Sequence, residues 1–320
     1  FKYIVVDVEV KNSPETVNKN TKLYVPNKSS ESKDSHYYVK AVISPNTDGS
    51  DVYYPGSMNF KWSKNNVEII NETVFDTPGT VTYNAVVKFP SAKSEKNNVD
   101  IDGDRRNENV TIYAPDKIER IVTFKVKPTP STVKPKDNGD VEVTNENQQN
   151  VNKIKVTYTK QEGTTPVEVT YTATKKDTGW ELEKGAPLTI DSKTGTIKIS
   201  DTEVRDKTLV KTKVITTDEI ESNEASGTAK GSVITLKTPE ASFKAAKDKN
   251  AQGSVPASEN NSIFDRLVIP AGDPVPIGKA LKDNGSIKVV DGKKTVTVVL
   301  TYADNTTKEV TVPVLEVKPI

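Results

Sequence analysis

The chain has 320 residues, enough for two or three domains, with no cysteine, one histidine and one methionine. Its 45 basic and 44 acidic side chains leave a net charge of +1, without the basic excess that binding a nucleic-acid polyanion requires. The lack of cysteine removes disulfides, thiolate zinc sites and cysteine nucleophiles, and the lone His36 cannot build a multi-histidine metal centre.

Apolar residues make up 33% of the chain, about 38% with its 16 glycines, below the usual share of about 45–50%. Thin cores of this kind fit several small modules better than one large globule. The longest apolar runs, such as Tyr3-Ile4-Val5-Val6, are far short of the roughly 20 residues of a membrane span. With neither an initiator methionine nor a signal peptide, the chain reads as an excised segment of a longer protein.

In chain order, the sequence alternates. From Val6 to Lys11 every second residue is apolar, and so it is over 154–159, 197–199, 310–314 and 315–318. A period of two, rich in Val, Ile, Thr and Tyr, predicts half-buried strands. Turn clusters separate them: Pro45 to Gly49, Pro135 to Asp140, and Asp283-Asn284-Gly285. Helical stretches are few. Residues 218–221 are too short, 240–247 have room for two turns and 277–281 for one. The expected fold class is therefore all-β, a tandem array of small β-sandwich modules.

A seam recurs: an alternating strand, then lysine, then proline within three residues. It follows Val10-Lys11, Val126-Lys127, Leu236-Lys237 and Val317-Lys318. Proline cannot donate a ladder hydrogen bond and stiffens the connector, as a junction between modules requires. Cutting there gives modules at 1–129, 130–238 and 239–320. The first and third share a pattern at a constant offset of 213: Pro78-Gly79 to Phe89 matches Asp291-Gly292 to Tyr302. The first takes about 22 residues more to reach its seam lysine, which predicts a polar hairpin insertion at about 91–109.

The run from Thr295 to Val314 resembles the last hairpin of Rib-type repeats, stalk modules of cell-wall-anchored surface proteins of Gram-positive bacteria. The Tyr-Pro-Asp-Gly turn of that family reads Tyr302-Ala303-Asp304-Asn305 here, and asparagine can supply the turn conformation. The middle module, with Gly179-Trp180-Glu181-Leu182 and then Leu188 to Ile199, resembles bacterial Ig-like repeats of adhesion and biofilm proteins. These resemblances imply a Rib-like 1–129 in its C-terminal half, an Ig-like 130–238 and a Rib-like 239–320, in an elongated arrangement outside the cell, on the bacterial wall.

No residue is assigned a catalytic, cofactor-binding or metal-ligating role, and no cofactor is expected. Asp191-Ser192-Lys193-Thr194-Gly195 reads as a tight hairpin with the aspartate capping turn amides. The string from Asp100 to Asn109 alternates aspartates as a calcium loop would. Its arginines, Arg105 and Arg106, oppose an ion, and a solvated loop is the preferred reading. His36 reads as a lone surface histidine. Trp62 and Trp180 sit in alternating strands and read as core. The function implied is a non-enzymatic stalk of a surface adhesin, supporting adhesion or biofilm formation. Its partners would be a host extracellular-matrix protein or glycan, or the same protein on neighbouring cells, with no nucleic acid and no membrane contact. The alternative is direct ligand binding by 1–129 through its tyrosines Tyr24, Tyr37, Tyr38, Tyr53 and Tyr54.

Overall fold

The computed structural model describes residues 5–11, 16–24, 38–44, 59–70, 72–88, 93–100, 104–113, 116–245 and 253–318. They are mostly β-strand, in discrete and mainly antiparallel sheets, none closed into a barrel. Two compact units emerge. One holds 1–129 with 148–151 and 215–222, and the other holds 130–147, 152–214 and 223–320.

The first unit contains β1 (Val5–Lys11), β2 (Thr16–Asn18), β3 (Lys22–Tyr24), β4 (Tyr38–Ser44), β5 (Asn59–Lys64) and β6 (Val67–Ile69). It continues with β7 (Glu72–Val74), β8 (Gly79–Lys88), β9 (Lys93–Val99), β10 (Glu108–Tyr113) and β11 (Lys117–Lys127). A five-stranded sheet runs β2-β11-β8-β5-β6, with β1-β4, β3-β7 and β9-β10 as separate pairs. The pair β9-β10 is a hairpin set between β8 and β11. Alternation along the sheet turns Trp62, Tyr83 and Phe124 to one side, where they meet Phe75 with ring centroids 4.9–6.4 Å apart. Most of these contacts are edge-on or tilted, as aromatic quadrupoles prefer.

The second unit holds most of the remaining strands: β12 (Thr132–Pro135), β13 (Val141–Thr144), β14 (Val151–Thr159), β15 (Glu168–Lys176), β16 (Gly179–Leu182), β17 (Thr189–Ile190) and β18 (Ile197–Ile199). Then come β19 (Leu209–Thr216), β20 (Ala225–Thr228), β21 (Thr235–Leu236), β22 (Ala241–Lys244), the short helix α1 (Asn260–Phe264) and β23 (Leu267–Val268). The last four are β24 (Gly278–Leu281), β25 (Lys288–Val290), β26 (Lys293–Thr301) and β27 (Thr307–Val317).

Sheets β12-β13-β18-β17 and β16-β15-β14-β19-β20 belong to the stretch 130–238. In 239–320 the order is β22-β27-β26-β24, around an aliphatic core of Val296, Val298, Leu300, Val312 and Val314.

Two expected helical stretches are strands. Residues 241–244 alternate, with Ala241 and Phe243 buried, and pair in parallel with β27. Residues 278–281 pair antiparallel with β26. Local propensity over four residues is weak beside a full ladder of backbone hydrogen bonds. The parallel contact of β22 with β27 has a counterpart in the first unit, where β2 runs parallel to β11.

Candidate functional site

The carboxylates that the sequence offers for chemistry are engaged in turns. Asp191 Oδ1 accepts the N–H groups of Lys193 and Thr194 at 2.8 and 2.9 Å, and Gly195 takes φ +74°. Those backbone donors hold the Asp191 carboxyl below its usual range. In the insertion hairpin, Asp100 accepts from the Arg105 N–H and Asp104 from the Arg106 N–H, both at 2.8 Å. The turn Tyr302–Thr306 closes with Asn305 at φ +65°, while Asp304 Oδ1 accepts from the Thr306 N–H and hydroxyl.

Trp62 is fully buried and Trp180 nearly so. His36, Tyr37, Tyr53, Tyr54, Ile101, Asp102 and Gly103 lie outside the described residues, as do the side chains of Tyr24 and Tyr38.

Inside the second unit the structure assembles a cluster that the sequence reading did not single out. Asp201, in the turn after β18, is 2% exposed and forms an ion pair with Lys308 of β27. Asp273, in the loop after β23, is 8% exposed and lies 3.6 Å from the Lys207 ammonium. Asp140 pairs with Lys198 at 3.2 Å and accepts the Asp201 N–H at 2.9 Å through its other oxygen. Around this centre Asp137 and Asp304 exchange backbone-to-carboxylate hydrogen bonds of 2.8 and 3.3 Å. Lys230 pairs with Asp137 at 2.6 Å, and Asn138 donates to the Thr307 carbonyl at 2.8 Å.

Two glycines make room for the acids. A Cβ on Gly139, whose φ is +91°, would run into the Asp201 carboxylate and the Ser232 hydroxyl, and one on Gly231 would run into Asp273. The Ser232 hydroxyl donates to the Asn138 carbonyl, so its one proton is committed there. Asp201 Oδ1, Asp206 Oδ1, Asp273 Oδ2 and the Tyr302 hydroxyl are all buried without a hydrogen-bond partner.

Desolvation pushes the Asp201 carboxyl up against the pull of Lys308. Desolvation and the charges of Asp201 and Asp273 push Asp206 up to about 6. Burial pushes the Tyr302 phenol up to about 12.

A signal for this cluster existed. Lys308 shares its strand face with Val310, Val312 and Val314, and Asp201 continues the inward phase of Ile197 and Ile199. Charged residues on the apolar phase of a strand mark buried pairs. Among the described residues no group of three or more His, Cys, Asp or Glu has a metal-holding arrangement, and no helix is long and apolar enough to cross a membrane. An open groove of about 510 Å³, lined by Ile234, Leu236, Pro239 and Val310 among others, flanks the chain near Thr238.

No family model matches the chain, and no curated protein matches it. Solved structures that bear a distant likeness include the following two. The D1–D4 ectodomain fragment of ICAM-5 aligns over 98% of this chain and 77% of its own, at 8% identity and a TM-score of 0.23. SGBP-B of the Bacteroides ovatus mixed-linkage glucan utilization locus, solved with a mixed-linkage heptasaccharide, aligns over 97% and 71%, at 10% identity and a TM-score of 0.18. Likeness at this level carries no argument about the function of this chain.

Proposed function

We propose that the chain is a non-enzymatic stalk segment of a bacterial cell-surface adhesin. It stands outside the cell on the Gram-positive wall, projects a binding region and supports adhesion or biofilm formation. The region it projects meets a host extracellular-matrix protein or glycan, or the same protein on a neighbouring cell. Its modules are 1–129, 130–238 and 239–320, Rib-like, Ig-like and Rib-like in turn, strung into a rod.

The observation that supports this reading is the use made of the polar side chains. Asp191 and Asp304 cap turns, Trp62 and Trp180 fill cores, and Asp201 is spent on Lys308, which ties β27 to the turn after β18. A spacer under tension needs internally satisfied backbone and fixed seams more than a cleft. Small-angle scattering of the full chain tests the proposal. A maximum dimension of about 100 Å or more is expected from three modules in line, and a compact scatterer overturns it.

A further inference from the structure

The acids gathered around Asp201 outnumber the cations that reach them. From the segment 200–208 come Asp201, Asp206 and Lys207. The β12–β13 turn brings Asp137 and Asp140, and the segment after β20 brings Lys230 and Ser232. The loop after β23 supplies Asp273, the β26–β27 hairpin supplies Tyr302, Asp304 and Lys308, and Lys198 reaches in from β18. Lys207 stands 62% exposed, so its hold on Asp273 is screened by water.

Asp201 and Asp273 have side chains at least nine-tenths buried, and each keeps one oxygen with no donor. Asp206 Oδ1 and the Tyr302 hydroxyl add two more orphan atoms. An ionised carboxylate only accepts, whereas a protonated one also donates. One added proton therefore removes a buried charge that no donor compensates.

We propose that Asp201 and Asp206, gathered beside Asp273, form a proton-binding site that tightens the fold of the second unit as the surroundings turn mildly acidic. The direction follows from linkage. Asp206 rises to about 6 in the folded chain from an ordinary value near 4, and Asp201 rises too. Between those values the native state holds more protons than the unfolded one, so stability falls as pH rises through the window and is fully present below it. The carboxyls held low by hydrogen bonds in the same unit, Asp191, Asp304 and Glu181, lose their contribution only below about pH 4.5, outside the window.

Urea unfolding of the full chain at pH 7.5 and pH 5.0, followed by Trp180 fluorescence with Trp62→Phe as background, tests the site. The folding equilibrium constant is expected to rise about tenfold toward pH 5.0 for a group moving between those values. Asp206→Asn should abolish most of that rise, since an amide is neutral at both pH values. His36 and the chain's α-amino group are common to all these proteins and cancel in the comparison.

A flat or falling stability toward pH 5.0, or a full rise retained in Asp206→Asn, overturns the proposal. Carbon-detected NMR titration of the Asp206 carboxyl provides a direct reading that does not depend on the variants folding. A midpoint near 6 supports the site, and one near 4 overturns it.

Discussion

Two sets of polar contacts hold neighbouring stretches of chain together, and they are built on opposite principles. In the first unit the Gln148 amide grips Thr129 from both sides, accepting its N–H at 2.8 Å and donating to its carbonyl at 2.9 Å. Asn150 donates to the Pro78 carbonyl at 3.2 Å, and Asp218 accepts the Thr80 N–H at 2.7 Å. This set is mostly neutral, and its one carboxylate is exposed. Desolvation acts to raise the Asp218 carboxyl, but hydrogen bonds from Thr216 and Thr80 outweigh it and hold the group low. In the second unit the joining set is charged, centred on the buried Asp201 and the half-buried Lys308, with more exposed lysines around them.

The difference lies in what each set risks. A neutral hydrogen bond exchanges water for protein at a small net gain, and its loss is modest. A buried ion pair gains little over apolar packing, yet stripping one partner leaves a charge in a poor dielectric. The two sets also respond to acid with opposite signs. Asp218, held low, contributes stability present above about pH 4 and lost as pH falls further. The cluster around Asp206, held high, contributes stability that is lost as pH rises through about 6.

The largest expected effect is at Lys308. Lys308→Met leaves the Asp201 carboxyl buried beside its own orphan oxygen and should cost the second unit about 3–5 kcal/mol in urea unfolding at pH 7.5. Joint replacement, Lys308→Met with Asp201→Leu, should recover most of that loss; a pair that stays as damaged as the single variant breaks the comparison. Next comes Gln148→Ala. It orphans two backbone groups of Thr129 and should cost the first unit about 1–3 kcal/mol, read by Trp62 fluorescence with Trp180→Phe as background. Smallest is Asp218→Asn, under about 1 kcal/mol at neutral pH for an exposed acceptor. Its sharper signature is in the acid limb. The wild-type first unit should lose stability below pH 4 more steeply than the variant does, and parallel curves would remove Asp218 from this account.

Much of the strand content could be read from alternation, because side chains on a strand face opposite sides in strict turn. Ile197-Lys198-Ile199 and the run Val310 to Val314 are strands in that phase. The hairpin around Asp191 and Gly195, and the turn at Asn305, follow from side chains that hydrogen-bond their own backbone and from residues that tolerate positive φ. Residues 241–244 and 278–281 escaped for a related reason. Each is four residues long, and each takes its conformation from a partner about 20 or more residues away. Lys308 and Asp201 were legible singly, as charges on an apolar phase, but not as a pair.

What sequence alone determined was local: which residues alternate, which turn, which carry charge, and that no thiol or histidine cluster exists. These follow from covalent geometry and from side chains acting within a few residues of themselves. Long-range strand pairing brought Asp201, Asp206, Asp273, Tyr302 and Lys308, spread over more than a hundred positions, around the turn after β18. That meeting is set by which strands pair and which faces close, and its energetics by how much water closure excludes, and neither quantity belongs to any single stretch of chain.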